Sequence, residues 1–156
     1  MKIKTTLLIA MLIISGQSKA WIAYGFKSGM SRFDVVESLS DKESFVVTED
    51  ARQTFAGPAD NTTKYNLVYC STPQKLYLMK FRLADSHAVF MQAREKYEKR
   101  YGKPEGQDYI SDNLATGNWE DAVISLIWDI NEFETILLTH GKNGTSAEFQ
   151  DVSVCQ

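Results

Sequence analysis

His87 and His140 are the only imidazoles in the chain, and the first belongs to an Asp85-x-His87 pair at a helix start that could hold a metal or act as a base. A metal centre needs three or four ligands at recognisable spacing, and none are grouped around either residue. The plainer reading makes His87 an exposed first-turn residue and His140 a turn residue beside Gly141. No metal ligand and no cofactor are expected. Three acidic pairs, Glu49-Asp50, Glu120-Asp121 and Glu132-x-Glu134, offer carboxylates. A glycosidase needs two of them about 5–10 Å apart across a cleft, whereas acids at strand ends are usually solvated turns. A small hydrolase, if the chain were one, would work through Glu49, Asp121 or Glu134. There is no Gly-x-Ser-x-Gly, phosphate loop or dinucleotide fingerprint. Gly25 and Gly29 precede a helix but follow no strand, so they make no phosphate cradle. No catalytic residue is expected, and the chain reads as non-enzymatic.

Two cysteines remain, Cys70 and Cys155. There is no Cys-x-x-Cys, and neither histidine is near either cysteine in sequence, so a catalytic thiol is disfavoured. In an oxidising compartment the simplest reading is one disulfide, the alternative being two free thiols. Asn61-Thr62-Thr63 and Asn143-Gly144-Thr145 are glycosylation sequons that matter only in a eukaryotic host. The aromatic residues Trp21, Tyr24, Phe26 and Trp119 are the candidate partner contacts, because exposed aromatics favour interfaces. Their other reading is as core, covering one face of a sheet.

These residues need a scaffold. Ser31 and Asp34 form a capping-box-like pair opening a helix over about 31–39, with Phe33, Val36 and Leu39 on one side. Alternation predicts strands at 44–48, 65–70 and 75–83, with 56–64 as a loop. A second helix starts at Asp85 or Ser86, carries Phe90, Ala93, Tyr97 and Tyr101 at helical spacing, and ends at Gly102. A loop follows over 103–114, then strands at 116–120, 123–130, 133–140 and 147–154, with turns at Asn131 and at 141–144. The run 123–130 is apolar on nearly both faces and is expected to be central in the sheet. The expected fold is α+β: an antiparallel sheet of about six to seven strands with two helices packed on one face. The two halves echo each other weakly as a helix followed by strands, without a residue-level repeat.

The N-terminus reads as a signal peptide over 1–20. Lys2 and Lys4 precede an apolar run from Leu7 to Ile14, and Ser18-Lys19-Ala20 supplies small residues at −3 and −1 of a cleavage site. The run falls far short of the ~20 residues a spanning helix needs. The mature product would be a single domain, residues 21–156. The full chain has 17 Lys and Arg against 20 Asp and Glu; Lys2, Lys4 and Lys19 depart with the signal, leaving 14 against 20, a net of −6. That balance argues against binding nucleic acid and gives no support for an anionic membrane partner.

Gly25 to Leu39, read as Gly-Phe-Lys-Ser-Gly-Met-Ser-x-x-x-Val-Val-x-x-Leu, resembles the opening motif of the SmpA/OmlA-like outer-membrane assembly domains and the β-lactamase-inhibitor-protein-like domains. Tyr101 to Pro104, closing a helix, also looks like a feature of small exported bacterial proteins. The overlap covers about fifteen residues. The chain departs from the assembly lipoproteins in lacking a lipidated Cys after the signal. The resemblance implies a non-enzymatic interaction domain. The expectation is thus a periplasmic or secreted protein-interaction module, an envelope accessory factor or inhibitor, whose partner is another exported protein. A small hydrolase and a small-ligand carrier with a pocket between sheet and helices are the alternatives.

Overall fold

Half-buried strands dominate the chain because its apolar residues alternate over most of its length. In the computed structural model, residues 21–40, 45–58, 64–110 and 123–156 are described. The signal segment 1–20, the expected strand 116–120 with Trp119, the Glu120-Asp121 pair and Asn61 lie outside them. A small two-stranded ribbon, β1 (Ile22–Ala23) and β2 (Phe26–Lys27), leads into helix α1 (Arg32–Ser40). Four strands follow: β3 (Phe45–Asp50), β4 (Gln53–Pro58), β5 (Tyr65–Tyr69) and β6 (Leu76–Arg82). Helix α2 (His87–Tyr101) then crosses to four more: β7 (Gly106–Ile110), β8 (Val123–Asp129), β9 (Glu134–Gly141) and β10 (Gly144–Asp151). A short 3-10 helix, Val152–Cys155, ends the chain.

All eight longer strands form one antiparallel sheet in the order β3-β4-β5-β6-β10-β9-β8-β7. The sheet is two four-stranded meanders, each preceded by a helix, joined where β6 pairs with β10. The weak echo between the halves is therefore architectural. The α+β class and the two helices match the sequence expectation. Two strands do not. β4 begins ahead of the expected 56–64 loop and takes in its first residues, and β7 lies within the expected 103–114 loop. Both are rich in Gly, Pro, Gln and Asp, residues of low strand propensity, and pairing with β5 and β8 overrides that preference. β8 is flanked on both sides, yet it is second from an edge; β6 and β10 occupy the centre.

Registers put every inward side chain on one face. Leu67, Met79, Phe149, Ile136 and Trp128 lie across five adjacent strands in a single row. Tyr65, Phe81, Ala147, Leu138 and Leu126 form the next. Both helices contribute to the core built on this face. α2 presents Phe90, Ala93 and Tyr97, as their spacing requires. Tyr97 sets its edge against Trp128 and Phe149, with centroids 5.8 and 5.7 Å away. α1 buries Val35 and Leu39, an i,i+4 pair, whereas Phe33 is 75% exposed. The expected Phe33-Val36-Leu39 stripe is thus rotated: Val35 replaces Phe33 beneath the helix. Ser31 closes the N-terminus as expected, its hydroxyl accepting the Asp34 amide (3.2 Å) and donating to the Asp34 carboxylate (2.7 Å). At α2 the cap position is Ser86, with no side-chain capping bond. Gly102, at φ 90°, ends the helix in a conformation that a side chain would strain. Cys70 and Cys155 are bonded, with Cα atoms 5.4 Å apart, tying the chain end to the end of β5.

Candidate functional site

The C-terminal end of α2 and the β8–β9 turn stand apart around an open cleft of about 640 Å³. Its apolar surfaces are Trp21, Trp128, Tyr101 and Ile130. Its lip carries two cations, Arg100 and Lys103, and three acidic residues, Glu105, Asp129 and Glu134, complete the lining. Gly102 stops the helix between Arg100 and Lys103, so both cations fall at the lip. The turn at Asn131 carries the chain back so that Glu134 enters β9 on the core face, while the Asp129 carboxylate accepts the Thr135 hydroxyl (3.1 Å) on the outer face. Trp128 is fixed by its indole N–H, which donates to the Gly102 carbonyl (2.8 Å). Arg100 reaches the Ile22 carbonyl (3.3 Å) and lies over the Tyr101 ring (5.2 Å).

Glu134 is the unusual member. It opens β9 on the core face, opposite Asp151 at the end of β10, and the two are 3% and 1% exposed. Asp151 is well supplied with donors: the Ser28 hydroxyl (2.8 Å), the Ser153 amide (3.0 Å) and the Ser153 hydroxyl (2.5 Å). Among the described residues Glu134 has one weak donor, the side-chain amide Nδ2 of Asn131 at 3.4 Å, and no salt bridge. Burial, then the neighbouring Asp151 carboxylate, push its carboxyl above the ordinary carboxylate range; Asn131 and Arg100 pull the other way. The indole N–H of Trp21, another residue lining the cleft, is buried without a hydrogen-bond partner among the described residues. The cleft therefore holds a poorly satisfied acceptor and an unsatisfied donor between aromatic walls, which favours a ligand able to meet both.

A smaller hollow of about 140 Å³ adjoins it, sharing Arg100 and Tyr101 and adding Tyr24, Lys96 and Tyr97. The Tyr24 and Tyr97 hydroxyls are hydrogen-bonded (2.9 Å), and Tyr24 stacks on Phe81 (4.0 Å). Tyr24 takes φ 54°, rare for a side-chain-bearing residue, and this packing holds it there. Burial raises the Tyr97 hydroxyl far above its ordinary pKa, so it stays protonated.

The structure divides the four candidate aromatic residues. Phe26 is buried against Tyr65, its contact role replaced by core packing. Trp21 is also core, yet one side of it lines the cleft; Tyr24 lines the smaller hollow; Trp119 is outside the described residues. Glu49 sits on the edge strand β3, 3.5 Å from Arg32 and away from the cleft residues. Glu132 is exposed, so among the described residues of the acidic pairs only Glu134 reaches the cleft. In the sequence Arg100, Lys103 and Trp128 carry no site signal, and Tyr101 belongs to the apolar stripe of the second helix. Tyr101 to Pro104 reads there only as a helix end, and the cleft emerges when that end meets β8. The two histidines come together at the opposite end of α2. No protein family, curated protein or solved structure matches the chain.

Proposed function

We propose that the chain is an exported protein-interaction module that seats part of another exported protein in the cleft at the end of α2. The observation that carries this reading is the buried, under-bonded Glu134 between Trp21, Tyr101 and Trp128. Aromatic walls with a polar rim are the anatomy of a contact hot spot. A carboxylate in such a setting suits a cationic side chain, which would gain both the charge and the aromatic faces. The disulfide is compatible with an oxidising compartment outside the cytoplasm. Among the described residues no helix is long and apolar enough to cross a membrane. The likeness of Gly25–Leu39 to the SmpA/OmlA-like motif favours an envelope setting, and the intact mass of exported protein is expected to equal residues 21–156.

Crosslinking of tagged protein in its own envelope and culture medium is the test. One saturable partner is expected, captured less well by the rim-reversed variants Lys103→Glu and Glu105→Lys. Equal capture by those variants would remove the cleft from the interaction. Native mass spectrometry showing a small molecule held by the wild type and lost from the same variants would replace the module with a ligand carrier. The hydrolase reading retains one favourable observation, the raised pKa of Glu134. Turnover of a cell-wall or glycan substrate that disappears in Glu134→Gln would establish it instead.

A further inference from the structure

We propose that His87 and His140 form a binding site for a borderline divalent transition-metal ion such as Zn²⁺, Cu²⁺ or Ni²⁺, clamping the start of α2 to the β9–β10 hairpin. The chain has two histidines, and the fold brings both together from different elements. Their ring centroids are 5.5 Å apart and their planes are inclined by 57°. Imidazole nitrogens bind Zn²⁺ at about 2.0–2.1 Å, which places the centroids of two rings on one tetrahedral ion roughly 5–6 Å apart. The observed spacing fits. Phe90, with its ring centroid 6.0 Å from that of His87 and 5.2 Å from that of His140, holds the two imidazoles side by side.

The surroundings of His140 are those of a prepared ligand. Its Nδ1 is 2.8 Å from the hydroxyl of Thr145, its buried partner in the register of β9 and β10. With Nδ1–H donating to that hydroxyl, Nε2 keeps the free lone pair, as in metal-bound histidines oriented by a hydrogen bond from the far nitrogen. Phe90 stacks against the same ring, centroid to centroid 5.2 Å, and fixes its plane. His87 opens α2 and is exposed, so it can turn to meet an ion arriving from solvent. The described residues hold no set of three or more His, Cys, Asp and Glu side chains able to share an ion. The site therefore consists of two imidazoles with water completing the shell. That donor set selects Zn²⁺, Cu²⁺ or Ni²⁺ over Mg²⁺ and Ca²⁺, which prefer oxygen. With two protein ligands it binds more weakly than a structural four-ligand centre.

The test is a titration of untagged mature protein with Zn²⁺, followed by proton NMR of the imidazole signals and by thermal unfolding. Two histidines give two sets of ring signals. Both should shift together and saturate at one equivalent of Zn²⁺, and Tm should rise. Mg²⁺ and Ca²⁺ should leave both unchanged. His87→Ala, at an exposed position that leaves the core intact, should weaken Zn²⁺ binding by about tenfold or more. His140→Gln should do the same and is checked for folding by the NMR spectrum. Zn²⁺ binding of equal strength in His87→Ala would overturn the proposal, as would ring signals unmoved by millimolar Zn²⁺.

Discussion

The single residue that most sets the character of the cleft is Glu134. Its neighbour Asp151 is bonded by two serines, while Glu134 relies on one long contact to Asn131. Its pKa is raised in the folded state, chiefly by burial. The folded chain thus holds that proton more tightly than the unfolded chain. Stability is fully present below the ordinary carboxylate range and falls as pH rises through the folded pKa. Glu134→Gln removes the charge and keeps the shape. It is expected to raise Tm at neutral pH by a few degrees, with the gain disappearing in acid, as measured by thermal unfolding at a series of pH values. A gain independent of pH would show that the charge is not what strains the site. Glu134 was visible in the sequence as one carboxylate of three acidic pairs. Nothing in the sequence separated it from Glu132, because only the packed sheet fixes that Glu132 stays in the exposed turn while Glu134 opens β9 on the core face.

At the scale of elements, the helices differ in how well their sequence declares them. α2 carries Phe90, Ala93 and Tyr97 on one stripe, and that stripe is the one buried. In α1 the apolar residues are spread around the axis, and packing selects Val35 and Leu39. Leu39→Ala should therefore cost about 2–5 kcal/mol in chemical denaturation, as expected for a core leucine. Phe33→Ala should change stability by no more than about 0.5 kcal/mol, as at other surface positions. Ser31→Ala removes the hydroxyl that caps α1 and should cost about 1 kcal/mol, read from the denaturation midpoint at unchanged slope. The strands follow the same division. β5 and β9 show strict alternation and lie where their patterns indicate, whereas β10 starts at Gly144, ahead of the expected 147–154, and gives way to the 3-10 helix at Val152. β4 and β7 carry turn-forming residues and exist because a neighbour offers an unpaired edge.

The whole molecule is a sheet of two meanders with its helices on one side, closed at its end by Cys70–Cys155. The bridge spans 85 residues of sequence and joins the 3-10 helix after β10 to the first half of the chain. In the chain-entropy account, closing so long a loop contributes about 4 kcal/mol. Reduction, or Cys155→Ser, should lower Tm strongly while leaving the secondary structure recognisable by far-ultraviolet circular dichroism at low temperature. Retention of the full Tm after reduction would mean that the β6–β10 pairing alone holds the halves together. That pairing is the seam of the molecule, since it is the contact between the two four-stranded units within the sheet.

The sequence by itself determined the class of the fold, both helices, most strands and the absence of a familiar catalytic signature. These follow from local quantities: period, capping chemistry, turn residues and charge. Tertiary structure decided what local quantities cannot carry. It paired β6 with β10, put Trp21 between the core and a cleft, and set Glu134 against Asp151. It also brought His87 to His140, two residues that each look like an ordinary turn or helix-start residue alone. The physical reason is common to all of these. Each depends on register between strands far apart in the chain, which is fixed by burying one whole face of the sheet at once.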